Sequence, residues 1–252
     1  MKTALKITNL HHQYEIFSLF GGRGNFSVLK DICLSVQEGN ALGLMGLSGS
    51  GKSTLANIVM GFIRATSGSI EFFGQPVVMS SLRQRRAFYQ KVQMVFQDPI
   101  GCINPTLSVF EVLAEPLTCL LKLKGVELEK RVKQACDMFY IPQKYLHKRA
   151  ILLSGGELGR VCLARACAIY PKFLILDESL SSFDLVLQHQ IIALLKELKG
   201  QISFLFITHD LRLAKTFCDE IILLDKGRIV EKILPNQSFR SQLGRALTQA
   251  VL

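Results

Sequence analysis

No apolar run in the 252 residues approaches the roughly 18 consecutive positions that would cross a bilayer, although 49% of the chain is hydrophobic. That excludes a membrane-spanning helix and predicts a chain folded around a sizeable core of its own. The opening residues Met1-Lys2-Thr3-Ala4-Leu5-Lys6 hold no apolar segment of secretory length and no small-residue cleavage site, so a protein that stays in the cytoplasm is expected. The seven cysteines are odd in number, scattered from Cys33 to Cys218 and never spaced C-x-x-C, which argues against a disulfide framework. Reduced, mostly buried thiols are expected. There is no internal repeat and no low-complexity linker. The net charge of +10 would suit nucleic acid or an anionic membrane surface. Yet the sharpest basic cluster, Arg83, Arg85, Arg86 and Lys91, lacks an interleaved aromatic platform, so a solvated face and no nucleic-acid partner are expected.

The periodicities that are present alternate between strand and helix. Ile32, Leu34 and Val36 alternate with Cys33 and Ser35 until Glu38-Gly39 breaks the run. Ala41-Leu42-Gly43-Leu44-Met45 reads as a short buried strand, and Leu55, Ile58, Val59, Phe62 and Ile63 fall at helical spacing. Ser67-Gly68 is expected to close that helical region before a strand from Ile70 to Gly74. Between about 107 and 150 strand signals stop, and Val109, Val112, Leu113, Leu117, Leu120 and Leu121 form a helical stripe interrupted by Pro116. Buried strands at 173–176 and 203–207, typical of a helix-covered parallel sheet, flank a helix at 186–198. The segments 221–225 and 228–231 read as a hairpin around Lys226-Gly227.

Gly46-Leu47-Ser48-Gly49-Ser50-Gly51-Lys52-Ser53, followed by Thr54, lies between the buried strand and the amphipathic helix. In that setting glycines let backbone N–H groups turn inward on phosphates, the helix start adds its positive end, Lys52 supplies a cation, and Ser53 can place a hydroxyl on Mg²⁺. A ligand-free glycine turn is the plain alternative, but it leaves the lysine and the hydroxyl unexplained. The strand at 173–176 ends in Asp177-Glu178, two carboxylates at a sheet's C-terminal edge, where ligands bind. Asp177 suits the surroundings of Mg²⁺, and Glu178 is placed to polarise a water attacking a γ-phosphate. His209 follows another buried strand and suits a donor to that phosphate. Gln97 offers a neutral amide to Mg²⁺ or the attacking water. In Leu153-Ser154-Gly155-Gly156-Glu157, Ser154 and Glu157 make a capping box, which leaves Gly155-Gly156 to allow close approach of an anion at a helix start.

A phosphate loop, a glutamine segment, an LSGG-type turn, a strand-end Asp-Glu and a terminal histidine, in this order, resemble the ABC ATPase family over roughly residues 3 to 235. The resemblance implies an α/β P-loop ATPase with a mixed sheet core, an inserted helical subdomain and an N-terminal antiparallel β part. It implies one nucleotide-binding domain over 1–252: core at about 1–96 and 155–235, helical subdomain at about 97–154, short tail at 236–252. ATP and Mg²⁺ are the implied cofactors, with Ser53, Gln97 and Asp177 near the metal, partly through water. Two such domains pair head to tail, so Ser154, Gly155, Gly156 and Glu157 would contact ATP on the partner, and Ser181-Ser182-Phe183-Asp184 resembles the loop lying across that interface. Tyr14 matches the aromatic that stacks on adenine, with Phe17, Phe20 and Phe26 as rivals. Glu157 stands where most members have Gln, which puts a negative charge near the opposing phosphates, and Phe183 stands where Leu is common.

The family resemblance also implies a second ATP-binding subunit, as a heterodimer or alternatively a homodimer, and two separate permease subunits docking at about 97–117. An extracytoplasmic binding protein would take part indirectly, and the chain would sit peripherally on the cytoplasmic face of the membrane. Gln93 to Pro99 with Asn104-Pro105 is similar to the dipeptide, oligopeptide and nickel importer branch. The segments 160–166, 184–188 and 206–213 are similar to its nickel-import members. Uptake of nickel or a related, chelated or free, divalent metal is therefore expected, with dipeptide or oligopeptide uptake as the alternative. His11 and His12, adjacent on a strand, point to opposite sides and make no chelate, so a surface pair is expected. No iron-sulfur centre is expected.

Overall fold

A computed structural model describes residues 2–17 and 23–249. The chain begins with strands β1 (Thr3–Phe17), β2 (Arg23–Gln37) and β3 (Ala41–Met45), helix α1 (Lys52–Val59), and strands β4 (Ser67–Phe72) and β5 (Gln75–Pro76). There follow α2 (Leu82–Tyr89), β6 (Val92–Val95), α3 (Val109–Leu121), α4 (Gly125–Met138), α5 (Gly155–Cys167), β7 (Phe173–Asp177) and α6 (Leu185–Leu198). The last elements are β8 (Ser203–Ile207), α7 (Leu211–Phe217), β9 (Glu220–Asp225), β10 (Arg228–Ile233) and α8 (Gln242–Gln249). They group into two compact units, one from the described residues of 1–78 and 199–252, the other from 79–198.

In the first unit, β1 pairs antiparallel with β2 and β4, in the order β2-β1-β4-β5. A mixed sheet has β3 running parallel to both β8 and β9, with β10 antiparallel to β9. All five residues of β3 and of β8 are buried, which is why both read as continuous apolar runs rather than alternating ones. Phe217 of α7 meets the rings of Phe204 and Phe206 edge-on, at centroid distances of 5.1 and 5.3 Å, locking α7 against β8. The Lys226-Gly227 hairpin forms as expected, and its main chain reaches two other segments. Gly227 N–H donates to Ser50 O at 3.0 Å and Gly227 O accepts from Lys30 N–H at 2.7 Å. The end of the sheet thereby braces the segment before Lys52.

In the first unit three local expectations change. The helix after Lys52 stops at Val59, leaving Phe62 half exposed, because Gly61 takes φ 75°. Gly61 N–H bonds Ile58 O at 3.0 Å and Phe62 N–H bonds Asn57 O at 2.9 Å, the paired closure of a left-handed helix end. Ser67-Gly68 does not close the helix but opens β4, where Ser67 pairs with His11. His11 and His12 are not a surface pair. His11 is exposed and accepts the Asp31 N–H at 3.3 Å through Nδ1, whereas His12 faces inward and is 7% exposed. Alternation along β1 separates the two rings, as expected, but one side of the sheet is a core.

In the second unit β6 and β7 run parallel. Helix α3 continues through Pro116 rather than being interrupted there. The proline removes one backbone donor, but Val109, Val112, Leu113 and Leu117 are all buried, and their packing outweighs that loss. Helix α2 has a Ser81/Gln84 capping box and no buried residue, so its three arginines form the solvated face that was expected. Cys136, Cys162, Cys167 and Cys218 are buried, and every cysteine is a free thiol. Burial pushes the thiols of Cys162 and Cys167 up to about 12, which suits inert core thiols. No helix among the described residues is long and apolar enough to cross a membrane.

Candidate functional site

The first unit carries the phosphate loop. Helix α1 starts on Lys52 with Gly51 as its N-cap, so no side chain caps the first turn and none of its residues is acidic. Its first-turn N–H groups and the positive end of its dipole thus point toward whatever lies before the helix. Gly51 sits at φ 109°, and a Cβ there would lie 2.9 Å from Leu29 Cδ2, so only glycine meets both the conformation and the space. A Cβ on Gly46 would lie 2.3 Å from Leu224 O. Lys52 is 7% exposed, and its Nζ donates to Gly46 O and Leu47 O, both at 2.9 Å. The loop therefore wraps a buried ammonium, while Leu47, Ser48, Gly49 and Ser53 remain exposed, Thr54 is half-buried, and Ser50 is buried with no hydrogen-bond partner for its hydroxyl. Such a loop can neutralise phosphate oxygens with a cation and a ring of backbone donors.

His209, exposed, links β8 to α7. It is framed by a buried Thr208 whose hydroxyl accepts the Asp210 N–H at 3.0 Å, and by Asp210, which caps α7 through Arg212 N–H at 2.8 Å. Tyr14 is 39% exposed and pairs with Phe26 across β1 and β2. The ring of His12 stands edge-on to Tyr14 at 4.6 Å and 89°, an inward support that sequence reading missed because a lone histidine in a strand has no signature. Phe20 and the side chain of Phe17 lie outside the described residues.

In the second unit, Asp177 ends β7 and is buried, and Glu178 follows at φ 45°, a left-handed conformation that is rare for a residue with a Cβ. Its carbonyl accepts from Ser181 N–H at 3.1 Å and from the Ser181 hydroxyl at 2.7 Å, which holds this turn. Gln97, 81 residues earlier and beyond the end of β6, donates its amide to Glu178 Oε2 at 3.0 Å. The fold thus brings together the two residues proposed from sequence to handle a water. A carboxylate oriented by an amide donor can accept a proton from water.

The signature turn adopts the expected capping box: Ser154 Oγ accepts from Glu157 N–H at 3.3 Å, and Glu157 Oε2 accepts from Ser154 N–H at 2.8 Å. That Ser154 N–H, aided by the Tyr145 and Ser154 hydroxyls and the Lys148 charge and opposed by partial desolvation, holds the Glu157 carboxyl below the ordinary carboxylate range. Tyr145 and Lys148 had no motif to announce them, since they reach Glu157 from a separate turn. Ser154 and Gly155 are exposed and Gly156 half-buried at the start of α5.

A glycine-cradled lysine between a buried strand and a helix, with a carboxylate pair ending a second buried strand, defines a P-loop nucleotide-hydrolysing class. The chain belongs to the ABC transporter family, whose model, described as ABC transporter, matches residues 29–181. It is 43% identical over 254 residues to the nickel import ATP-binding protein NikE of Escherichia coli strain K12, covering 99% of this chain and 95% of that protein. The fold is shared with the ATP-binding cassette MJ0796, solved as a dimer in a post-hydrolysis state bound to ADP and Pi. That match has a TM-score of 0.83 and 27% identity over 92% of this chain and 99% of that one. It is shared also with cbiO1 of Clostridium perfringens, part of the ABC transporter complex cbiONQ, at TM-score 0.79 and 26% identity over 100% of both chains.

Proposed function

We propose that this chain is the ATP-hydrolysing motor subunit of an importer for nickel or a related divalent metal, free or chelated. The 43% identity to NikE, maintained across 99% of the chain, carries this reading. In it Gly46, Leu47, Ser48, Gly49, Ser50, Gly51 and Thr54 supply backbone and hydroxyl contacts to the ATP phosphates, Lys52 supplies the cation, and Tyr14 stacks on adenine. Glu178 takes the proton of the attacking water while Gln97 orients it, and His209 donates to the γ-phosphate. The Ser53 hydroxyl, the Asp177 carboxylate and the Gln97 amide are hard oxygen donors of the kind Mg²⁺ takes. Mg²⁺, when bound, neutralises phosphate charge. Ser154, Gly155, Gly156 and Glu157 serve the nucleotide of a second ATP-binding subunit, a sister chain in a heterodimer. Two permease subunits hold the pair on the cytoplasmic face of the membrane, and an extracytoplasmic binding protein delivers the cargo.

Cells lacking the gene are expected to lose uptake of radioactive nickel while retaining dipeptide uptake. The wild-type gene should restore nickel uptake and the Glu178→Gln gene should not. Loss of dipeptide uptake with nickel uptake intact would replace the metal with a peptide.

The carboxylate of Glu157 places a charge beside the partner's phosphates, muted by its Ser154 and Tyr145 hydrogen bonds. Glu157→Gln keeps an acceptor for the Ser154 N–H and removes the charge. It should lower the ATP KM of the assembled transporter about threefold, the size of one screened repulsion. Unchanged KM and turnover would show that the charge does not reach the opposing nucleotide.

A further inference from the structure

The 181–184 loop is held at its two ends by the Ser181 and Asp184 side chains and in the middle by the ring of Phe183. At one end Ser181 bonds the carbonyl of Glu178, and at the other Asp184 Oδ1 accepts the Leu187 N–H at 2.8 Å. Ser181, Ser182 and Asp184 are exposed, whereas Phe183 is 6% exposed. Its ring lies on α5 at Gly159. A Cβ built on Gly159 would stand 2.4 Å from Phe183 Cε1 and 2.9 Å from Cζ, and one built on Gly156 would be 3.9 Å from Cδ1. The ring therefore rests on bare helix backbone along an i, i+3 face, with no side chain of those two positions between. Glycine is the poorest helix former after proline, so a glycine five residues into a 13-residue helix calls for a packing reason. The Phe183 ring supplies it.

We propose that Phe183 and Gly159 form a size-matched joint that positions the 181–184 loop, and through Ser181 the backbone of Glu178, relative to the Ser154–Glu157 turn. Phe183 is thus a positioning residue for hydrolysis at the shared site, a role that rests on the reading given under Proposed function. Displacement of α5 passes to the loop through a rigid ring on backbone rather than through a pair of adaptable side chains. A larger residue at 159 pushes the ring, and a side chain lacking the ε and ζ carbons at 183 makes room again.

The test is a double-substitution cycle in the full chain assembled with its transporter subunits. Gly159→Ala is expected to lower kcat about tenfold at an ATP KM within about twofold, and Phe183→Leu about threefold. The double variant should return to within about twofold of the wild type, instead of the roughly thirtyfold loss that independent effects would multiply to. Thermal midpoint and ATP affinity of the chain alone are measured alongside and are expected to leave every variant folded and nucleotide-binding at the assay temperature. Losses that multiply, a Gly159→Ala protein with full kcat, or a kcat loss that tracks the folded fraction would each overturn the joint. Glu178→Gln is run in parallel. Full turnover in that variant would overturn the site reading beneath the proposal, whereas its inactivity together with multiplying losses would overturn the joint alone.

Discussion

The Lys52→Met protein is expected to bind ATP about 100-fold more weakly than the wild type, on the order of 2.7 kcal/mol, while remaining folded. Lys52 is the first residue of α1, its ammonium is almost wholly buried, and two backbone carbonyls of its own loop hold it at 2.9 Å. The ammonium donates to the Gly46 and Leu47 carbonyls from inside the loop, so an anion placed against the same loop gains a charge-assisted interaction with it. Methionine retains the apolar stem and removes the charge, which separates the electrostatic contribution from that of the side chain's burial. Calorimetric titration of ATP into the purified chain measures it, with the melting curve as a control on folding. Affinity within about threefold of the wild type would show that the loop binds phosphate through its backbone alone.

Glu178→Gln in the assembled transporter should leave ATP binding within about twofold and lower turnover about 1000-fold, on the order of 4 kcal/mol. The substitution preserves shape and still offers an oxygen to the Gln97 amide, which lies 3.0 Å from Glu178 Oε2. It removes the one property a neutral amide lacks, the ability to accept a proton from water. The left-handed backbone at Glu178, φ 45°, is held by Ser181 and is independent of the carboxylate, so the side chain should keep its direction. Steady-state ATP hydrolysis with a nucleotide-binding control measures the split. A variant that retained wild-type turnover would take Glu178 out of the chemistry and leave the water to Gln97 or His209.

These expectations were readable to different degrees before any fold was known. The phosphate loop was legible because its chemistry is local. Eight consecutive residues contain the glycines, the lysine and the hydroxyl, and the flanking strand and helix carry their own periodicities. The capping box at Ser154 and Glu157 was legible for the same reason, being a pattern at a fixed offset of three. The extent of α1 was not, because Phe62 and Ile63 continue the apolar spacing while a single left-handed glycine ends the helix. Nor was the inward side of β1, since His12 differs from His11 only in which face of the strand it occupies. Pro116 misled in the opposite sense, since a local rule against proline gave way to the packing of four buried apolar neighbours.

By itself the sequence determined whatever resides in contiguous spacing: the phosphate loop, the strand ending in Asp177-Glu178, the cap of α5, the buried strands and the family they spell out in order. Tertiary structure alone decided which distant residues share a place. It brought Gln97 to Glu178 across 81 positions, Tyr145 and Lys148 to Glu157, His12 under Tyr14, and the ring of Phe183 onto the bare backbone of Gly159. The physical reason is that periodicity records which face an element buries, whereas contacts between elements depend on side-chain volume and direction at the crossing. Those are set when the core packs to near-crystalline density.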